Sequence, residues 1–475
     1  MLIEVQNTHC VVRTCTDEER RWLTGYLTFP DKNAHFSGGP ATVRGYDDLR
    51  KKFPRGFISL VQKGAATDGI KVELLDTRVR PCEPDPTADL SWLRWYQREA
   101  VAAAVKHGQG IIQAATGAGK GEILCGIARL LPCKWLFLVH RAQLADDIAD
   151  RWEKRFGEPA GRVGDGRWTE GRLTCATLQS LYLPMKNPLH PNHARTIALL
   201  EGVEGILCDE AHVVAADSYG AIARATKRAF FRIGLSGTPL ARGDKRSIFV
   251  VGALAGVIYK ISAAQLIEEG VLSKPTVRMV SCPQESSAAT HQGVYGELIV
   301  RSRVRNRLIS MMARAAARPG LIFVKEVKHG QQIVAALGKM GLNSEFVWGA
   351  LDVPTRQTLI KRLVRGELDF LVCSVVFQEG IDIPSLRSVI IAAAGQSVIA
   401  ALQRIGRGMR AGAGKTTFEV WDLLDGGDKW MTRHAKKRFR AYTAEGHEVQ
   451  LLSESQLALM AAASGAAQNK AGPAK

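Results

Sequence analysis

The chain has 475 residues, about three domains at the usual size. Its 64 Lys and Arg outweigh 46 Asp and Glu, and the net charge of +18 favours a polyanionic partner such as nucleic acid. A composition of 46% hydrophobic and 23% charged residues excludes a fibrous or disordered chain, and nine cysteines without a C-x-x-C pair argue against a zinc site or a disulfide scaffold.

Residues 1–88 carry short β-rich runs: IEVQ at 3–6, CVVRT at 10–14, FISLV at 57–61 and VELL at 72–75. Turn signals separate them, at 37–40, 53–56 and 63–69. This predicts a small β-containing accessory domain. It holds 13 basic and 12 acidic residues, so almost all the positive charge lies in the rest of the chain. Pro81, Pro84 and Pro86 then mark a stiff linker. From about 90 to 270, helical segments alternate with apolar runs: GIIQA (110–114), WLFLV (135–139), LTCAT (173–177), GILCD (205–209) and FRIGLS (231–236). Such runs read as strands of a parallel sheet buried on both faces. The polar stretch 283–293 reads as a loop, and a second series follows: GLIFV (320–324), EFVWG (345–349), FLVCS (370–374), VIIAA (389–393) and FEVWDL (418–423). The expected division is therefore 1–88, 89–272, 273–452, and an Ala-rich tail at 453–475 that is expected to be disordered. No run of about 18 apolar residues predicts a membrane span, and Glu4 sits where a signal peptide would be apolar or basic.

Three segments carry chemistry. AATGAGKGE (114–122) follows a predicted strand and precedes a predicted helix. Gly117 and Gly119 let the backbone wrap a phosphate, the helix N-terminus presents N–H groups, and Lys120 reaches the β- and γ-phosphates. The bland alternative is a Gly-rich turn; a dinucleotide loop does not fit the spacing. DEAH (209–212) closes another predicted strand, where Asp209 can hold Mg2+ and Glu210 can orient water. In QRIGRGMR (403–410), Gln403, Arg407 and Arg410 fall on one face of a helix. An arginine presented to a transferring phosphoryl group is worth about 10³–10⁵ in rate. A solvated basic face is the alternative.

Taken together these segments resemble the superfamily 2 helicases, and further matches follow in that family's order over about 93–410. LRWYQREAV (93–101) resembles the adenine-reading segment, with Arg94 and Gln97. The phosphate loop would use Thr116, Gly117, Ala118, Gly119, Lys120, Gly121 and Glu122, and SVVFQEGIDIP (374–384) would bring Gly380 and Asp382 near the ribose. HRAQL (140–144), ATLQSL (176–181), GLIFVKEVKHG (320–330) and Ser374 resemble nucleic-acid contacts, which implies His140, Arg141, Thr177, Gln179, Lys325 and Ser374. SGTP (236–239) resembles the motif that couples hydrolysis to movement: Ser236, Gly237 and Thr238, bridged by His212.

The resemblance implies two tandem RecA-like α/β domains behind the small N-terminal domain, with ATP and Mg2+ in the cleft between them. Within the superfamily, DEAH, SGTP and the L-R-x-Y-Q opening look more like the UvsW and XPB-like DNA translocases than the RNA helicases. That implies an ATP-dependent motor on duplex, branched or single-stranded DNA, gripping mainly phosphates, with roles in repair, recombination or replication. Its setting would be a bacterial or phage-infected cytoplasm. An RNA helicase is the alternative within enzymes.

One departure stands out. The family places Ser or Thr after the loop lysine as an Mg2+ ligand, and here Gly121 has no hydroxyl. Either the motor works with weaker metal affinity, or hydrolysis is impaired and ATP only gates binding. The presence of Lys120, Asp209, Glu210, Gln403, Arg407 and Arg410 favours the working motor. Six arginines within 301–318 read either as a phosphate-tracking edge or as a solvated connector, and as strand or helix. In KWMTRHAKKRFR (429–440) the aromatics are expected to be the buried stripe of an amphipathic helix rather than base-stacking groups. Asp422 and Asp425 are expected at the surface.

Overall fold

The computed structural model describes residues 1–30, 42–209, 217–237, 247–374, 383, 385–394, 417–444 and 447–470. The chain divides into two compact units, Met1–Ser262 and Ala263–Lys475, a boundary ten residues earlier than the expected 272.

The first unit opens with β1 (Leu2–Val5), β2 (His9–Thr14) and helix α1 (Asp17–Tyr26). Thr16 and Glu19 cap that helix reciprocally: Thr16 Oγ1 accepts from the Glu19 amide at 3.1 Å and Glu19 accepts from the Thr16 amide at 2.7 Å. A hairpin, β3 (Thr28–Pro30) with β4 (Thr42–Arg44), precedes β5 (Lys52–Pro54), helix α2 (Ile58–Thr67) and β6 (Glu73–Asp76). The small sheet runs β5-β2-β1-β6. The run FISLV, expected as a strand, is instead a 3-10 turn leading into α2. Buried Phe57, Val61, Gly64 and Ala65 recur at helical spacing, and that period continues past the five residues that looked β-rich.

The larger sheet of this unit contains β7 (Gln109–Ala114), β8 (Trp135–Val139), β9 (Gly161–Gly164), β10 (Arg167–Thr169), β11 (Leu173–Thr177), β12 (Gly205–Asp209), β13 (Phe231–Ser236) and β14 (Val257–Ile261). Its order is β10-β9-β11-β8-β12-β13-β7-β14, and every pairing but the β9–β10 hairpin is parallel. The central strands β7, β8, β11, β12 and β13 are almost wholly buried because helices cover both faces, whereas the edge strands β10 and β14 are partly exposed. Among these helices are α3 (Trp95–His107), α4 (Lys120–Leu130), α5 (Ala142–Phe156) and α6 (Leu178–Lys186).

The second unit is one seven-stranded parallel sheet. It contains β15 (Lys274–Pro283), β16 (Gly320–Val324), β17 (Ser344–Val347), β18 (Phe370–Ser374), β19 (Ser388–Ile391), β20 (Thr417–Gly426) and β21 (Glu448–Leu452), in the order β17-β18-β16-β19-β20-β15-β21. Its helices include α7 (Arg303–Ala315), α8 (Val327–Lys339), α9 (Lys429–Ala444) and α10 (Glu454–Lys470).

Two expectations are corrected here, and one left open is resolved as a helix: Arg303, Arg305, Arg307 and Arg314 lie on α7, with Arg305 fully buried and Arg303 and Arg307 exposed. Asp422 and Asp425 are buried, not at the surface: Arg305 Nε donates to Asp425 at 2.9 Å, while Arg438 donates to Asp422 at 2.8 Å and to Asp425 at 3.3 Å. Tyr442 also donates to Asp422, at 2.8 Å. Charges taken out of water require such partners, and these come from α9, the helix that follows β20, and from α7, 120 residues earlier. The Ala-rich tail is helix α10 from Glu454 to Lys470, with Leu457 fully buried in the sheet's core cluster. Alanine is the best helix former, so a scarcity of large apolar residues does not preclude a helix. Helix α9 has the expected amphipathic form, but its buried stripe is Met431, His434, Ala435, Arg438, Ala441 and Tyr442, with Trp430 and Phe439 only half-buried. Among the described residues, no helix is long and apolar enough to cross a membrane.

Candidate nucleotide and nucleic-acid site

The parallel order β11-β8-β12-β13-β7 brings five carboxyl ends to one edge of the first sheet, the edge where open α/β sheets bind ligands. From β7 the chain enters the loop 115–119, from β12 it ends on Asp209, and from β13 on Ser236 and Gly237. His140 follows β8, and Thr177 closes β11. The register sets Asp209 level with Leu235 and Ser236 level with Gln113. A Cβ on Gly237 would lie 3.6 Å from Thr116 Oγ1, so the start of the SGTP segment abuts the phosphate loop.

The loop turns through two left-handed glycines, Gly117 at φ 91° and Gly119 at φ 78°, and Gly119 is the N-cap of α4. Residues with a Cβ are disfavoured at both positions. The Ala118 amide donates to the Ala115 carbonyl at 3.1 Å, and Lys120 opens the helix. The first N–H groups of a helix lack internal acceptors, so this cradle fits a phosphate group.

Gln97 is buried, and both ends of its amide are engaged: Nε2 donates to the Ala118 carbonyl at 2.9 Å, and Oε1 accepts from the Arg94 amide at 2.9 Å. Tyr96 donates to the same carbonyl at 3.0 Å, and burial raises its phenol above the ordinary value. The segment expected to read adenine therefore also braces the phosphate loop. Arg94 itself is exposed.

Gly121 and Glu122 face α5. A Cβ on Gly121 would meet Ile148 Cδ1 at 3.0 Å and Arg151 Nε at 3.4 Å. Glu122 is ion-paired to Arg151, and to Arg155 at 2.9 Å. Of an Mg2+ donor set, Asp209 is in place at its strand end, while position 121 offers none. Ile148 and Arg151 were not legible as neighbours of this position, because the contact joins segments 27 or more residues apart.

Thr177 is the N-cap of α6, its Oγ1 accepting from the Ser180 amide at 3.3 Å, and Gln179 is exposed. His140 is half-buried and Arg141 exposed. In the second unit, Lys325 is exposed directly after β16, and Ser374 is buried at the end of the neighbouring β18. Glu210, His212, Thr238, Gly380, Asp382, Gln403, Arg407 and Arg410 lie outside the described residues.

Two family descriptions match the chain: "Type III restriction enzyme, res subunit" over residues 91–241 and "Helicase conserved C-terminal domain" over residues 303–412. The chain is 25% identical over 432 residues to the ATP-dependent DNA helicase uvsW of Enterobacteria phage T4, covering 82% of this chain and 83% of that protein. It is 23% identical over 404 residues to the DNA 3'-5' translocase XPB2 of Sulfurisphaera tokodaii, covering 77% and 86%. A solved structure of S. cerevisiae Dbp5 bound to RNA and ADP BeF3 superposes with a TM-score of 0.55 at 14% identity, over 78% of this chain and 93% of that one. That likeness speaks for the fold alone.

Proposed function

We propose that this chain, which belongs to the superfamily 2 helicases and resembles their UvsW and XPB-like members, hydrolyses ATP to move on and remodel duplex or branched DNA. The observation that carries the reading is the convergence of the 115–119 loop, Asp209, Ser236 and Gly237 on one sheet edge, with His140 and Thr177 along it. In this reading, the loop and Lys120 hold the triphosphate, braced from behind by Gln97 and Tyr96. Asp209 would hold Mg2+, which neutralises charge on the phosphate oxygens when bound. Glu210 and Gln403 orient the attacking water, and Arg407 and Arg410 meet the charge on the transferring phosphoryl group. Gly237, which lies beside Thr116, and Ser236 before it would pass the state of that loop to the nucleic-acid contacts at the same edge. With a net charge of +18, the grip on DNA is expected to be through phosphates and salt-sensitive.

The test is ATP turnover with duplex DNA, a branched junction, single strands and RNA compared side by side. Lys120→Ala is expected to abolish turnover with the fold intact; unchanged turnover would remove the site. Greater stimulation by RNA than by any DNA would replace the substrate class. One observation favours a second reading, an ATP-gated DNA binder without turnover: Gly121 lacks the metal-binding hydroxyl. In that case DNA affinity would respond to ATP while phosphate release stayed at background.

A further inference from the structure

At the carboxyl edge of the second sheet, Lys325 follows β16, between the ends of β18 and β19. Its side chain is exposed, and its ammonium lies over the ring of Tyr295, 4.9 Å from the centroid. Tyr295 is itself buried. It joins a short helix, His291–Tyr295, to a single π-helical turn, Gly296–Val300, a device that recurs at functional sites. The Tyr295 hydroxyl donates to the Ala393 carbonyl at 2.6 Å, which ties the ring to the segment leaving β19. Leu298, Ala394 and Met431 belong to the same buried cluster. The next residue, Ala394, holds φ 43°, a left-handed conformation that a non-glycine residue keeps only when its surroundings enforce it. Level with the end of β16, the Ser374 hydroxyl is buried with no hydrogen-bond partner among the described residues.

We propose that Tyr295 is a positioning residue that holds the Lys325 ammonium ready for a nucleic-acid phosphate, an inference that rests on the reading of Lys325 as a phosphate contact. A carboxylate could also hold a lysine, but it would cancel the charge a phosphate needs. A ring face orients the ammonium and leaves its charge intact. The hydrogen bond to Ala393 keeps that ring face fixed, so the flexible lysine stem is ordered before the strand arrives.

The experiment measures binding of a fluorescent duplex DNA to the full chain, without nucleotide, across a sodium chloride series. Lys325→Ala is expected to lower the slope of log affinity against log salt by about one phosphate contact. Tyr295→Leu is expected to weaken binding about two- to fivefold, and to have no effect in a Lys325→Ala background. Tyr295→Phe, which preserves the packing, is expected to weaken binding less, again only when Lys325 is present. It carries the test if the leucine variant melts. Equal weakening in both backgrounds would make Tyr295 merely structural and overturn the proposal, as would unchanged binding of both Tyr295 variants. An unchanged slope in Lys325→Ala would instead remove the phosphate contact itself, and the positioning role with it.

Discussion

Gly121 occupies the position where its family carries a hydroxyl, and its neighbours decide what a substitution there can reveal. The site that a Cβ would take is 3.0 Å from Ile148 Cδ1, the far end of a flexible side chain, and 3.4 Å from Arg151 Nε, which is held by Glu122. A serine needs a shift of a few tenths of an ångström from Ile148 alone. A threonine adds a second branch on the same carbon and crowds Arg151 as well. Gly121→Ser is therefore expected to retain the wild-type denaturation midpoint and to lower the Mg2+ concentration needed for half-maximal ATP turnover. Gly121→Thr is expected to lose about 1–3 kcal/mol of stability through overpacking. Pairing it with Ile148→Val should restore part of that loss in urea melts. If Gly121→Ser leaves the Mg2+ requirement unchanged, the missing hydroxyl is not what limits metal use. The glycine itself was legible as a departure, but the wall behind it was not, since Ile148 and Arg151 reach it from another helix.

Elements that are buried on both faces announce themselves as apolar runs, and this is why β7, β8, β11, β12, β13 and β16 to β20 could be anticipated one by one, whereas β9, β10, β14, β15 and β21, which are mixed or partly exposed, could not. Elements read through polar residues could not. Arg305, Asp422, Asp425 and Arg438 look like surface charges, and only the packing of α7 and α9 on the sheet turns them into one buried network. His329 belongs to the same class. It lies on α8 within a polar stretch, KEVKHG, yet it is fully buried against α7, with Nε2 at 3.0 Å from Asn306 Oδ1. Burial, and secondarily the Arg305 charge, lowers its pKa from 6.5 to about 3. A depressed histidine is neutral in the fold and charges first in the unfolded chain. Its contribution is complete above pH 6.5 and is lost as pH falls from there toward 3. Between pH 7 and pH 5 the loss from this group should be about 2 kcal/mol. His329→Gln is expected to be less stable at pH 7 but to lose less on acidification, as read by urea melts at the two values. Parallel pH curves for the two proteins would show that His329 does not titrate between the folded and unfolded states in this range.

At the scale of the first unit, the accessory region behaves as part of the motor's own packing, which changes how its role should be tested. Arg55, 1% exposed, donates to the Asn7 carbonyl at 3.1 Å and the Phe230 carbonyl at 3.0 Å, and also to Gln109. Arg232, on β13, donates to the same Asn7 carbonyl at 3.2 Å. Among the described residues neither guanidinium is ion-paired to a carboxylate, and backbone carbonyls carry most of the bonds; Arg55 depends on the two parts staying docked, while Arg232 is held chiefly by Ala223, Thr226 and Ala229 of its own part and adds one bond across the joint. Gln109 opens β7, whose other end is the phosphate loop, and Arg232 lies four residues before Ser236. A chain starting at residue 89 would leave Arg232 without the Asn7 carbonyl and expose Phe230. Its loss of activity would then report undocking rather than loss of a DNA contact. A local change tests the joint directly. A Cβ on Gly56 would lie 2.0 Å from the Val251 carbonyl and 2.5 Å from the Gly252 carbonyl, both rigid backbone of the helix Ser247–Leu254. Gly56→Ala is therefore expected to destabilise this unit by about 3 kcal/mol or more, with faster proteolysis within 1–80 and lower ATP turnover. An alanine variant with unaltered melting and turnover would mean that the accessory region is only loosely attached, and truncation would again be a fair test of what it binds. If the variant does melt early, the better probe of DNA contact is charge reversal at exposed residues of the region, such as Arg50 or Lys51, which leaves the joint whole.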